Sequence, residues 1–264
     1  MTKIGLTSDL TAELPGGGRI PLLGFGTWQL RDEEARQAVI WALEAGYRHI
    51  DTATGYGNES QVGAALRASG VPREEVFITT KLPPDHVGRE RQTLEESLQN
   101  LGVSYLDLWL VHWPPGGTAG VSSWRVFIEA QKEGLVRHIG VSNYSLEQID
   151  ELVTETGKAP AVNQIKWSPF QFDRALLDGH RSRSVVLEGY SPFRAARLDH
   201  PVLAEIGRKY GKTPAQVIVR WHLEHGVVVI PKSANRDRIV SNVDVLDFTL
   251  SADEVASIDA LAED

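Results

Sequence analysis

VFITTKLPPDHVGRERQTLEESLQNLGVSYLDLWLVH, residues 76–112, holds the pattern that decides the fold. An apolar run at 76–80 leads into turn residues. A helical pattern follows at RQTLEESLQNLG (91–102), ending on Gly102, and a second apolar run, LDLWLV, fills 106–111. Short apolar runs of this kind read as strands, and the amphipathic segment between them reads as a helix. Strand, helix, strand is the unit of a parallel sheet.

The unit recurs in both directions. Upstream lie IPLLGF (20–25) and YRHI (47–50), with the helical pattern EEARQAVIWALEAG (33–46) between them. Downstream lie HIGV (138–141), AVNQI (161–165), VVLEG (185–189) and VVVI (227–230), with helical patterns at WRVFIEAQKEG (124–134) and LEQIDELVTETG (146–157). Capping boxes mark helix starts at Ser145 with Gln148, Thr213 with Gln216 (Pro214 following), and Ser251 with Glu254. Glycines at 46, 70, 102, 134, 157, 211 and 226 stand where helices end. About eight such units in 264 residues, near the roughly 250 typical of the fold, predict one α/β domain spanning 1–264. The expected form is a closed (β/α)8 TIM barrel rather than an open doubly wound sheet. Gly16-Gly17-Gly18 predicts an N-terminal β-hairpin at the barrel bottom. Segments near 201–210, 214–225 and 252–261 predict extra helices toward the C-terminus.

Composition narrows the function. Hydrophobic residues make up 42% and charged residues 23%, enough for a packed core. A net charge of −8 opposes a general affinity for nucleic acid or acidic membranes, though a small anion needs only a local cationic pocket. The absence of cysteine removes disulfides, thiolate catalysis and Cys-ligated metal centres. The stretch MTKIGLTSDLTAELPGG has no apolar signal region, and no run approaches the roughly 18 apolar residues of a membrane span. A cytoplasmic protein is therefore expected, and the sequons at Asn58 and Asn143 carry little weight. Rossmann, Walker A and nucleophile-elbow patterns are absent. His222 and His225 share a helical spacing but have no carboxylate pattern nearby, so no metal is expected.

The residues that follow the apolar runs are more informative. They are Asp51, Lys81, His112, Ser142-Asn143, Gln164, Tyr190-Ser191 and Lys232-Ser233. In a parallel barrel all of these strand ends meet on one face, where barrel active sites lie. A polar residue after any one strand is ordinary loop chemistry. A carboxylate, an ammonium, an imidazole, amides and a phenol in succession read as a site.

These residues sit in GYRHIDTATGYGNE (46–59), ITTKL (78–82), LVHWP (110–114), IGVSNY (139–144), NQI (163–165), GYSPF (189–193) and IPKS (230–233). In that order and spacing, from about residue 18 to 261, the chain resembles the aldo-keto reductases, in particular their prokaryotic, diketogluconate reductase-like members. The resemblance implies an NADPH-dependent oxidoreductase that reduces an aldehyde or ketone, with a catalytic tetrad at Asp51, Tyr56, Lys81 and His112. Reduction makes an alkoxide that needs a proton donor nearby. Tyr56 alone, between Gly55 and Gly57, reads as a loop aromatic; with the other three it reads as that donor. Lys81 is expected to lower the Tyr56 pKa and Asp51 to hold Lys81 charged, while His112 orients the carbonyl oxygen or assists its protonation.

The resemblance also implies the cofactor (NADPH/NADP+) contacts. Tyr190 stacks on the nicotinamide, whose carboxamide meets Ser142, Asn143 and Gln164, a set offering donors and acceptors. Lys232, Ser233, Asn235 and Arg238 surround the adenosine 2′-phosphate, which favours NADPH over NADH. Gly26, Thr27, Trp28, Ser191, Pro192, Phe193, Ile230, Pro231, Ala234 and Asn242 complete the cofactor contacts. Substrate contacts fall on Trp28, Tyr56, His112 and Trp113, with Tyr144 a further candidate wall. The partner is a small carbonyl compound, and a monomer is expected.

Several positions depart from the family pattern. Ser241 stands where an acidic residue commonly contacts adenine, and Pro83-Pro84 follow Lys81-Leu82 where tryptophan is common. The loop PPGGTAG (114–120) is short, and little chain follows the last helical segment. An open, permissive substrate pocket is the expectation. Two other readings compete. A glycoside hydrolase on the same barrel would need two carboxylates roughly 5 Å or 6.5–9.5 Å apart; Glu188 is available without an obvious partner. A non-catalytic nicotinamide-binding regulatory barrel would keep the cofactor set but have no use for the tetrad.

Overall fold

Leu106–Val111 forms a strand with the bounds of its apolar run, and all six residues are buried. It lies inside a sheet that the computed structural model describes over residues 10–193 and 197–263. The first nine residues, part of the stretch without a signal region, lie outside the described residues. An antiparallel hairpin comes first: β1 (Thr11–Glu13) pairs with β2 (Arg19–Pro21) around Gly16-Gly17-Gly18. Eight parallel strands follow in chain order. They are β3 (Phe25–Gly26), β4 (His49–Asp51), β5 (Phe77–Leu82), β6 (Leu106–Val111), β7 (Val136–Ser142), β8 (Val162–Lys166), β9 (Val186–Tyr190) and β10 (Val228–Val229). Leu23 forms a parallel bridge to Val229, Val229 N donates to Leu22 O at 2.8 Å and Gly24 N donates to Val229 O at 2.9 Å. The last strand thus meets the first, and the sheet is a (β/α)8 TIM barrel.

The run IPLLGF is divided, contrary to the expectation of one strand over 20–25. Its start, with Pro21, belongs to the hairpin, and the barrel strand is Phe25–Gly26. Pro21 has no N–H to donate, so it suits a strand end better than a barrel interior. The hairpin covers the N-terminal end of the barrel. Gly18, at φ +91, holds a backbone conformation that favours glycine, and a Cβ there would come within 2.8 Å of His138 Nε2 on β7.

Helices alternate with the strands: α1 (Asp32–Glu44), α2 (Glu59–Ser69), α3 (Glu90–Leu101), α4 (Val121–Lys132), α5 (Leu146–Thr156) and α6 (Arg174–Ser182). Helices α7 (Pro201–Tyr210) and α8 (Pro214–Glu224) lie between the last two strands, and α9 (Arg236–Val243) and α10 (Ala252–Asp259) follow. The three expected capping boxes are formed at α5, α8 and α10. The seven helix-ending glycines all take positive φ. Trp109 stacks on Phe127 at 3.6 Å between centroids, and Trp124, Trp167 and Trp221 are fully buried, so the tryptophans of the barrel body are packing residues. His222 Nδ1 lies 2.8 Å from Ile218 O and His225 Nε2 lies 2.7 Å from Asp259 Oδ1, so each ring serves α8 and its neighbours.

Candidate active site

Asp51 is the last residue of β4, and Lys81 lies inside β5 rather than beyond it. Both side chains turn into the barrel. Lys81 Nζ donates to Asp51 Oδ1 at 2.6 Å and to Thr52 O at 2.7 Å. The other Asp51 oxygen accepts from Gln164 Nε2 of β8 at 2.8 Å, across the barrel. Tyr56 closes a one-turn 3-10 helix (Thr54–Tyr56) after β4 and lies over the ion pair, with Lys81 Nζ 5.1 Å from its ring centroid. His112, just past β6, meets the Tyr56 ring edge-on at 5.7 Å and 73°. The four residues singled out in the sequence therefore converge.

Asn58 fixes the loops that carry this cluster. Its Nδ2 donates to Thr27 O at 2.9 Å and Leu30 O at 3.0 Å, and its Oδ1 accepts from Thr52 Oγ1 at 2.8 Å. The loop after β3, bearing Trp28, and the loop after β4, bearing Tyr56, are tied through one buried amide. Sequence reasoning passed over Asn58 as a sequon; its place in GYGNE, next to Tyr56, was the available signal.

The electrostatics differ from the sequence expectation at Tyr56. Burial pushes its phenol above the ordinary tyrosine range, and the Lys81 charge opposes this without reversing it. Lys81 is already neutralised by Asp51, which itself works against the phenolate. The result is a phenol that keeps its proton. Burial also disfavours charge on the pair beneath: it pushes the Asp51 carboxyl up and works against the Lys81 ammonium, while Asp51 holds Lys81 above its usual value. His112 is pulled down to about 3, first by burial and then by Lys81, so its imidazole is neutral at physiological pH.

Above the cluster opens a cleft of about 650 Å³. Of the residues expected at the site, Gly26, Trp28, Asp51, Tyr56, His112, Trp113, Ser142, Asn143, Gln164, Tyr190, Ser191, Pro192, Phe193, Ile230 and Lys232 line it. Tyr190 OH donates to Asn143 Oδ1 at 2.8 Å, and Asn143 Nδ2 donates to His112 O at 3.1 Å and Ser142 Oγ at 3.0 Å. One chain of hydrogen bonds thus joins the ends of β6, β7 and β9. Lys81 lies beneath the cleft. Thr27 is also away from it, fully buried, with its hydroxyl donated to Asp51 O at 3.0 Å. Tyr144 is no wall: it is buried, and its OH donates to Ala119 O at 3.0 Å, bracing the loop after β6.

Around Lys232 the expected set runs from the loop after β10 into α9. Pro231, Ser233 and Asn242 are buried there, and Ala234, Asn235 and Arg238 are exposed. The Asn235 side chain caps α9, accepting from Arg238 N at 3.0 Å. Neither Lys232 nor Arg238 has a carboxylate at ion-pair distance among the described residues. Sequence reasoning missed two further lining residues, Gln29 and Gly55. Gln29 takes φ 64, Asn143 φ 63 and Ser191 φ 55, so three residues of the cleft hold left-handed conformations without being glycine. Backbone strain of this kind persists where the surroundings over-determine it. At Asn143 the two amide donations supply that constraint.

The sequence profile of the Aldo/keto reductase family matches residues 22–263. The chain belongs to the aldo/keto reductase family. It is 45% identical, over 96% of its length and 94% of the relative's, to a methylglyoxal reductase (DkgA) of Escherichia coli. It is 46% identical to the Salmonella typhimurium protein of the same name, covering 93% of this chain and 90% of that one. Among solved structures it resembles an aldo/keto reductase of Brucella melitensis with a TM-score of 0.92, 42% identity and coverage of 95% and 97%. A Bombyx mori aldo-keto reductase in complex with NADP gives a TM-score of 0.88, 37% identity and coverage of 95% and 92%. In this aldo/keto reductase Trp28 and Trp113 flank Tyr56 and His112 at the cleft mouth, 39% and 48% exposed, which leaves that mouth wide.

Proposed function

We propose that this aldo/keto reductase reduces aldehyde or ketone carbonyls to alcohols with NADPH, and that Tyr56 is the general acid. The observation that carries the reading is the phenol of Tyr56, on the cleft floor, stacked above a fully buried Lys81–Asp51 pair. The residues present fit a phosphorylated dinucleotide. The floor offers hydroxyl, amide and ring surfaces at Ser142, Asn143, Gln164 and Tyr190, and Lys232 and Arg238 are exposed cations without carboxylate partners among the described residues. Gly26 keeps the wall low, because a Cβ there would come within 2.8 Å of Ile230 O. Tyr190 would hold the nicotinamide ring, Ser142, Asn143 and Gln164 its carboxamide, and Lys232, Ser233, Asn235 and Arg238 the 2′-phosphate.

The bound cofactor supplies a hydride to the carbonyl carbon. The chain supplies everything around that event. Neutral His112 offers a ring N–H to the carbonyl oxygen, and Tyr56 O–H delivers the proton as negative charge develops there. Burial keeps Tyr56 protonated until that moment, and Lys81, fixed by Asp51 and Thr52 O, stabilises the phenolate that remains. Trp28 and Trp113 provide apolar walls. Short α-oxoaldehydes are the first substrates to test, given that two relatives are methylglyoxal reductases. The same reading takes the chain as one cytoplasmic domain working as a monomer; no helix among the described residues is long and apolar enough to cross a membrane.

Loss of nicotinamide absorbance with a panel of aldehydes and dicarbonyls tests the activity. Tyr56→Phe is expected to lower turnover by about 10²–10⁴-fold, the range of a lost general acid, while fold and NADPH binding persist. Near-wild-type turnover in that variant would remove Tyr56 from the role. A barrel that binds NADPH and oxidises none of it would favour a regulatory function instead.

A further inference from the structure

Glu188, on β9 beneath Tyr190, is fully buried, and neither carboxyl oxygen has a hydrogen-bond partner among the described residues. Gln164, in register with it on β8, gives its amide N–H to Asp51 instead. On its other flank Val228 of β10 brings no charge. The titratable groups that face it come from across the barrel: His49 and Asp51 of β4 and Lys81 of β5. His49 Nε2 stands 3.9 Å from Glu188 Oε1, but that ring lies 3.1 Å from Thr79 Oγ1, and burial pulls it down to about 3, so it brings no charge.

Barrel interiors are ordinarily filled by bulky branched apolar side chains, and an unpaired buried carboxyl is costly by comparison. Two carboxyls here face one ammonium. Lys81 touches Asp51 and not Glu188, so a second ionised carboxylate would leave this sealed layer with an unbalanced negative charge.

We propose that Glu188 is a positioning residue that acts on Tyr56 through Lys81. As a neutral acid it leaves Lys81 with one carboxylate partner. As a carboxylate it adds a second negative charge beneath the site and tightens the hold of Tyr56 on its proton. The proposal rests on Tyr56 being the general acid.

Burial, with Asp51 adding to it and Lys81 and the neighbouring Gln164 amide opposing, pushes the Glu188 carboxyl up to about 8. Tyr56 and Lys81 titrate above their ordinary high values, and His112 and His49 near 3. Glu188 therefore changes charge in the neutral to mildly alkaline range, below Tyr56 and Lys81 and above the two histidines.

Glu188→Gln keeps the shape and cannot ionise. In the wild-type enzyme kcat/KM for carbonyl reduction should fall about threefold or more from about pH 7 to about pH 9, and in E188Q that fall should disappear. An alkaline limb unchanged in E188Q overturns the proposal. A variant inactive at every pH overturns it too, because an amide would then fail to replace a neutral acid.

A second readout needs no turnover. A carboxyl raised in the folded state binds its proton more tightly there, so unfolding releases that proton. Its stabilising contribution is present below the ordinary carboxylate range and is lost as pH rises toward about 8. Urea unfolding at about pH 5.5 and about pH 8.5 should show the wild type losing at least about tenfold in folding equilibrium relative to E188Q. Equal pH dependence in the two proteins overturns the proposal. If Tyr56→Phe kept its turnover, the general-acid reading would fail while this folding result stood on its own.

Discussion

Lys81 and Arg238 are two cations on the same end of the barrel, and their surroundings are opposites. Lys81 is fully buried, within 2.7 Å of two oxygen atoms, and reaches them from inside a strand whose six residues are all buried. Arg238 stands exposed on the first turn of a surface helix with no carboxylate partner among the described residues. The first cation is fixed by the fold before any ligand arrives. The second is left accessible at the surface. Chemistry that must stabilise a developing charge benefits from groups that need no reorganisation. Recognition of a phosphate dianion needs an accessible fork of donors, which would be neutralised if the fold had already paired it.

The contrast can be broken by substitution. Lys81→Met should have the largest effect, because it removes the Tyr56 neighbour and leaves Asp51 buried without its cation. Breaking one partner of a buried pair costs roughly 3–5 kcal/mol, so both turnover and the urea midpoint should drop together. An unchanged pH–rate profile in this variant would detach Lys81 from Tyr56. Arg238→Ala should leave the urea midpoint nearly unmoved while raising the NADPH dissociation constant about 10- to 100-fold, the equivalent of about 1.5–3 kcal/mol for a charge-assisted hydrogen bond. NADH binding should change little, and equal loss for both nucleotides would end the assignment to the 2′-phosphate. The smallest effect is expected at His112. With its imidazole held neutral down to about 3, the reduction rate should carry no limb near the ordinary histidine pKa of about 6.5. A limb there that His112→Gln abolishes would show that the ring charges during turnover.

These two regions also differ in how much of them could be read from the residues alone. Lys81, His112 and Gln164 follow or end apolar runs, and period-two strand geometry in a parallel barrel carries such residues to one face whatever the loops do. The run 106–111 even keeps its bounds. Local pairing is harder to read: IPLLGF divides between a hairpin and the barrel because Pro21 cannot donate, and that outcome depends on partners elsewhere in the chain. Thr27, in line with the cofactor residues by position, turns inward to Asp51 O. Asn58 and Gln29 gave no periodic signal because loop contacts and a left-handed φ leave none. The sign of the Tyr56 shift was illegible for another reason. It is a difference between burial and two opposing charges, and burial is a property of the folded whole.

The bond between Gln164 and Asp51 has a consequence for the making of the protein. Its partners are 113 residues apart, and the bridge that shuts the barrel joins Leu23 to Val229, roughly two hundred residues apart. Translation delivers the first barrel strand early and must hold it unpaired on one edge until nearly the whole chain has left the ribosome. Contacts of such long sequence separation form late and slowly. A nascent chain therefore carries the polar residues of the site for most of its synthesis without the assembled site. The cleft, which Ile230 and Lys232 line just past the last strand, is complete only when that strand docks.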